Sequence, residues 1–327
     1  MNLKKLCWPF LILVLGVLLS CYSSNNQNSP LAAGDKATFT ADGVSFTMVY
    51  VPGGLTFPLG TDDNGDGGTT TATVTGAYWI GEVDVTYELW STVYTWAIAN
   101  GYTFANPGQD GGDNGTPVTH VGTEPVTTLS WYDAIVFSNA LTEWYNTKNS
   151  TSYRYVYKVS EPNTPIRACI TGAQIAICDS VTPDSSATGF RLLTSDEWEL
   201  AARWRGNDTT NTVSGYANPY FTKGNSASGD TADYTNLTAA HDVAWYSAIG
   251  SEPVKLLAPN ALGLYDMSGN VWQWTFDSSA GSVNRAFRGG SWYNNSFYLQ
   301  IGLVFYDSPS DASNYHDFGF RLSKTAD

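Results

Sequence analysis

Basic side chains are scarce in this chain. Sixteen Lys and Arg stand against 30 Asp and Glu in 327 residues, a formal charge of −14 at pH 7, so the basic face that nucleic-acid partners need is not supplied. Cysteine occurs four times and histidine three times. No Cys-x-x-Cys, His-x3-His or Gly-x-Ser-x-Gly pattern occurs, which removes the dithiol, histidine-cluster iron and nucleophile-elbow readings. The apolar run Leu6–Leu19 holds fourteen residues, short of the roughly 17 to 25 that span a bilayer. What is present is 43% hydrophobic and 14% aromatic residues, enough for a sizeable core and too apolar for a disordered chain.

Lys4 and Lys5 precede the apolar run, and Leu18-Leu19-Ser20-Cys21 ends it. This order reads as a secretory signal over residues 1–20, and its end resembles the lipobox of bacterial lipoproteins. That resemblance implies cleavage after Ser20 and lipidation of Cys21. Several acyl chains at about 0.8 kcal/mol per buried CH2 hold a protein on a membrane without spanning it. Plain secretion is the alternative. Residues 21–36 are polar and aperiodic and read as the lipidated cysteine and a flexible tether.

Residues 37–327 read as one domain. Ser130–Trp144 places Ala134, Phe137, Leu141 and Trp144 at helical spacing, with Ser130 as N-cap and Asp133 three residues on. Thr194–Arg203 repeats the form, with Thr194 or Ser195 capping. Phe46–Val51 alternates as a strand, and Gly76–Val85 reads as a further strand pair. Few long elements among long loops give an α+β fold. Cys169 and Cys178 are nine apart; a hairpin disulfide and two buried thiols on apolar strands account for them equally.

The punctuation of the chain then becomes specific. In order it shows Val51-Pro52-Gly53-Gly54, Glu82-Val83-Asp84-Val85-Thr86, Arg191-Leu192-Leu193-Thr194-Ser195-Asp196-Glu197-Trp198, Gly263-Leu264-Tyr265-Asp266-Met267-Ser268-Gly269-Asn270-Val271-Trp272-Gln273-Trp274, Arg288-Gly289-Gly290-Ser291-Trp292 and Gly319-Phe320-Arg321-Leu322. Over residues 44 to 323 this resembles the sulfatase-modifying-factor family, which includes the formylglycine-generating enzyme. The resemblance implies a C-type-lectin-like fold, irregular and loop-rich. Gly289 and Gly290 suit close backbone approach, and the spacing of Trp272 and Trp274 puts both on one face of a strand.

The enzyme of that family uses copper and two cysteines five apart, and the matching positions here are Asn294 and Leu299. Neither forms a thiolate, so the resemblance carries no thiol chemistry and no copper. His120, His241 and His316 are isolated, which argues against the iron-dependent relatives. A structural calcium is implied at Asp266, Gly269, Val271 and Gln273, with Gln273 standing where the family has Glu and lowering the expected affinity. Asn236 and Leu237 match part of a second calcium loop. A turn held by Asp266 explains the first set without metal.

Between the on-pattern borders lies Tyr293–Asp317. Six of its 25 residues are Tyr or Phe, and most others are Ser, Asn, Asp or Gly, a composition shared with antibody loops. The segment also resembles the variable region of proteins diversified by retroelements, in which adenine-directed copying rewrites Asn codons. Such rewriting does not generate Lys, Glu, Gln, Met or Trp, and Gln300 alone of these five types occurs here. The resemblance implies contact positions at Tyr293, Asn294, Asn295, Phe297, Tyr298, Leu303, Phe305, Tyr306, Asp307, Ser310, Asp311, Ser313, Asn314, Tyr315 and His316. Ile301, Gly302 and Val304 are expected in the supporting strand and core. The function implied is a non-catalytic lipoprotein at the bacterial outer membrane or cell surface, binding an unidentified protein or glycan through this patch. A divergent oxidoreductase and a non-diversified adhesin are the alternatives, and aromatic packing inside the domain is the structural one.

Overall fold

A computed structural model describes residues 30–61, 70–113, 122–159, 163–311 and 316–326. The signal segment, Cys21, His120, Ser313, Asn314 and Tyr315 lie outside the described residues. In chain order the strands are β1 (Lys36–Ala41), β2 (Val44–Val51), β3 (Leu55–Pro58), β4 (Thr71–Val74), β5 (Tyr78–Gly81), β6 (Gln109–Asp110), β7 (Val126–Thr127), β8 (Phe190–Leu192), β9 (Trp204–Gly206), β10 (Tyr220–Phe221), β11 (Trp272–Ser278), β12 (Arg285–Arg288), β13 (Phe305–Asp307), β14 (Phe318–Phe320) and β15 (Leu322–Thr325). The helices are α1 (Tyr87–Ala99), α2 (Trp131–Asn149), α3 (Gly172–Asp179), α4 (Ser195–Arg203) and α5 (Leu237–Val243).

Local chemistry explains the main elements. Asp42 and Gly43 both take positive φ, the geometry of a tight hairpin turn, and β1 and β2 pair on either side of it. Ser130 and Asp133 form a reciprocal capping box that opens α2, and Thr194 with Glu197 does the same for α4. The cap of α4 is therefore Thr194 rather than Ser195. Helix α2 continues past Trp144 to Asn149. The expected strand pair at Gly76–Val85 is one strand, β5. Beyond it the chain bends into α1, where Thr86 caps by accepting from Leu89 N–H.

Two sheets organise the domain. One is antiparallel, in the order β1-β2-β5-β15-β8; the other is β13-β12-β11-β14, with β11 and β14 parallel. The C-terminal chain thus enters both sheets, through β14 and then β15. Between α1 and α2, Trp90 stacks on Phe137 at 4.7 Å, and Phe320 meets both edge-on. Trp272 and Trp274 share a face of β11, each packing on Phe287 and Phe318. Gly289 and Gly290 have positive φ, and a Cβ at either would come within 3 Å of a carbonyl, that of Met267 or Tyr298.

Cys169 and Cys178 form a disulfide. The connection is not a hairpin, because Cys178 lies in α3, opened by a capping box of Thr171 and Gln174. Cys178 is the buried residue of that helix, and the sulfur bridge holds its inner face.

Candidate ligand-binding site

The segment that follows β12 is built on fixed hydrogen bonds. Ser291 Oγ lies 2.8 Å from Asn294 Oδ1 and 2.5 Å from Asp317 Oδ2, and Ser291 N–H donates to the same Asn294 oxygen. The Asn294 carbonyl accepts from Ser247 N–H at 2.8 Å, and the Trp292 carbonyl from Ala248 N–H at 2.8 Å. These bonds join the segment to the loop after α5. Asn295 Oδ1 then accepts from Phe297 N–H at 3.0 Å, opening a short 3-10 turn over Ser296–Leu299. Burial raises the Asp317 carboxyl above the usual range, with Ser291 opposing it.

The positions separate into three groups. Tyr293, Asn295 and Phe297 are exposed, with Tyr293 at 63% and Phe297 at 44%. Behind them Tyr298 and Phe305 are half-buried. Phe305 lies 5.5 Å from Trp272 and 5.7 Å from Tyr298, and Phe297 meets Tyr298 at 5.4 Å. A continuous aromatic layer therefore runs from β11 to solvent. Ser310 and His316 are exposed, and Leu303, Asp307 and Asp311 are half-buried. The described part of the segment carries Asp307, Asp311 and Asp317 and neither Lys nor Arg.

Three expectations change. Asn294 is half-buried, and its amide oxygen is occupied by the Ser291 backbone, so it holds the turn through that oxygen rather than serving as a contact alone. Tyr306 is exposed but follows Phe305 on β13, and alternation turns it to the opposite side of the strand. Val304 is half-buried ahead of β13, whereas Ile301 is fully buried and Gly302 is buried as expected. Leu299, at the second cysteine position, is fully buried among Ala240, Val243 and Tyr246.

Two residues outside the segment adjoin it. Tyr234 packs edge-on against Phe297 at 5.6 Å. Ile249 is 86% exposed, directly after Ala248, whose N–H reaches the Trp292 carbonyl. Neither carried a distinguishing sequence signal beyond an apolar side chain in a polar loop.

The implied calcium set does not fit a cation as arranged. Gln273 Oε1 accepts from Trp198 Nε1 at 2.7 Å and Arg321 Nε at 3.2 Å, and Gln273 Nε2 donates to the Asp266 carbonyl at 2.7 Å. Asp266 Oδ2 accepts from Lys255 N–H at 3.0 Å. Gln273 is fully buried and its oxygen faces an arginine, a placement that repels added positive charge. Gly269 is pressed against the Trp245 backbone and shares a bridge with it. Asn236 caps α5 by accepting from Ala239 N–H, and Leu237 is 53% exposed. Among the described residues, no group of three or more His, Cys, Asp or Glu side chains converges in a metal-binding arrangement.

Comparison with known proteins places this geometry. The solved structure of Treponema denticola variable protein 1 superposes with a TM-score of 0.63 at 28% identity, covering 89% of this chain and 99% of that one. The chaperone protein LppX of Paenibacillus barcinonensis is 28% identical over 259 residues, which is 76% of this chain and 80% of that protein. The inactive C-alpha-formylglycine-generating enzyme 2 of Mus musculus is 31% identical over 150 residues, 42% of this chain and 44% of its own length. The fold is the C-type-lectin-like fold of formylglycine-generating enzymes. Residues 36–326 match the sulfatase-modifying factor enzyme 1-like domain, and the chain belongs to that family.

Proposed function

We propose that the protein is a non-catalytic binding protein, lipid-anchored through Cys21 at the bacterial surface, whose exposed patch beside β11 takes up a protein or glycan ligand and is varied by a retroelement. One observation carries the reading: the positions of the family's reactive thiols are occupied by a turn residue, Asn294, and a core residue, Leu299. Aromatic side chains stand in front of them, with Tyr293 and Phe297 open to solvent. Aromatic rings give large contact area at low entropic cost, and short polar neighbours adapt their hydrogen bonds. Similarity to a Treponema variable protein over most of both chains supports the same reading.

The contact set is centred on Tyr293, Asn295, Phe297 and His316, flanked by Tyr234 and Ile249, while the aromatic layer behind it stays constant in shape. Sequencing the locus in sibling isolates tests the proposal. Substitutions concentrated at the exposed positions, with Leu299, Ile301 and Gly302 constant and a reverse transcriptase nearby, are the expected result. A constant segment Tyr293–His316 without that gene removes diversification. Turnover in a cysteine-peptide oxidation assay removes the non-catalytic reading.

A further inference from the structure

A second concavity lies away from the aromatic patch. It is a cleft of about 400 Å3 between the β4–β5 turn, the start of α4, the loop at residues 183–185 and the end of β11. That volume suits a small organic ligand. No lining residue belongs to the Tyr293–Asp317 segment. The run of β11 from Trp272 to Asp277, at about 3.3 Å per residue, separates the two regions by roughly 17 Å.

The lining combines flat apolar surface with four acidic side chains, Asp184, Asp196, Glu197 and Asp277, against one basic side chain, Arg191. Tyr157 and Phe276 stack at 5.5 Å and 10°. Arg191 is already engaged by both oxygens of Glu197 at 2.7 Å, and Asp184 by Lys158 at 2.5 Å. Two carboxylates are left. Asp196 accepts no hydrogen bond and makes no ion pair among the described residues, while Asp277 takes the Ser195 N–H on one oxygen. Burial raises both carboxyls, and a neighbouring acid adds to it, Asp277 for Asp196 and Glu197 for Asp277, while Arg288 opposes the rise at both and the Ser195 N–H opposes it at Asp277. A cation placed between them relieves that repulsion, and an aromatic wall favours a flat or apolar cation over a hydrated metal ion.

We propose that this cleft binds a guanidinium or primary ammonium group on a short apolar stem, with Asp196 and Asp277 taking the charge and the Phe276–Tyr157 wall taking the stem. The group comes either from a free amine or from an Arg or Lys side chain of a bound peptide. Because the cleft lies outside the variable segment, its specificity is constant while that of the patch changes.

The test is titration of the full chain with n-butylguanidinium, with end-blocked Gly-Arg-Gly and with neutral n-butylurea, followed by calorimetry. Saturable binding of butylguanidinium identifies a free-cation site; binding of the tripeptide alone identifies a peptide side chain. In either case Asp196→Asn and Asp277→Asn each weaken binding about tenfold or more, as expected for loss of a charged hydrogen-bond partner, and butylurea binds at least tenfold more weakly. Circular dichroism checks that both variants fold; Asp196 makes no hydrogen bond or ion pair among the described residues, so its variant is the reliable one. Binding of neither cation, equal binding of butylurea, or unchanged affinity in a folded Asp196→Asn protein overturns the proposal.

Discussion

Gln273 Oε1 sits 2.7 Å from Trp198 Nε1, so a residue expected from the resemblance to be a calcium ligand ties β11 to α4. The same oxygen receives Arg321, and the amide nitrogen donates to Asp266. An amide satisfies one acceptor and two donors here, which a carboxylate cannot do. Gln273→Glu therefore faces an oxygen toward the Asp266 carbonyl and costs about 1–3 kcal/mol. In the parent, EDTA and calcium are expected to leave the thermal midpoint unchanged. A calcium-dependent midpoint in the parent, measured by calorimetry, refutes this assignment.

Adjacent positions in the segment Tyr293–Asp317 differ in what they hold. Asn294 accepts the buried Ser291 N–H, whereas Tyr293 is 63% exposed. Asn294→Ala strands that donor and is expected to cost about 1–2 kcal/mol in urea denaturation. Tyr293→Ala is expected to change stability by less than about 0.5 kcal/mol. Equal effects at the two positions contradict the division of the segment into frame and contacts.

Burial pushes the Asp84 carboxyl up to about 8, against the opposing pull of Arg321 at 3.6 Å and reinforced by Asp266. Both Asp84 oxygens are buried without a hydrogen bond in the described structure. The folded state therefore holds this proton more tightly than the unfolded chain, whose Asp titrates near 3.9. The stabilisation is fully present below about pH 4 and is lost as pH rises toward 8, with a slope of at most about 1.4 kcal/mol per pH unit. Asp84→Asn removes that component. Denaturation midpoints at pH 5 and pH 8 should differ less in the variant than in the parent; an equal difference counts against the assignment.

The sequence made α2 and α4 legible because Ser130, Asp133, Thr194 and Glu197 are short-range capping signals. It hid α3, since Ile170, Ile175 and Ile177 alternate with small residues in a way that reads equally as strand, and only the Thr171–Gln174 box distinguishes them. Motif order alone implied that Asn294 and Leu299 stand at the family's thiol positions; that one holds a turn and the other lies in the core was not legible. Nor was sidedness: that Tyr306 turns away from Phe305's partners follows from its pairing with Ala286 across β12, a register fixed by tertiary contacts. Likewise the choice between cation ligand and amide staple at Gln273 depends on Trp198 and Arg321, 75 and 48 residues away.

The Cys169–Cys178 bridge encloses α3, whose other ties to the domain are few. Asp179 accepts from Tyr132 Oη at 2.7 Å through its side chain and from Arg285 at 3.1 Å through its carbonyl. Ile177 is exposed, and the apolar contacts of the helix come from part-buried Ile175 and buried Cys178. Cross-linking a loop of this length restricts the unfolded chain by about 2.5 kcal/mol in the chain-entropy account. Cys178→Ser is accordingly expected to lower stability by about 2–3 kcal/mol and to speed hydrogen exchange within α3 ahead of the two sheets. The parent in reducing buffer should match the variant. If reduction leaves both stability and α3 exchange unchanged, the helix is held by Asp179 and its partners instead.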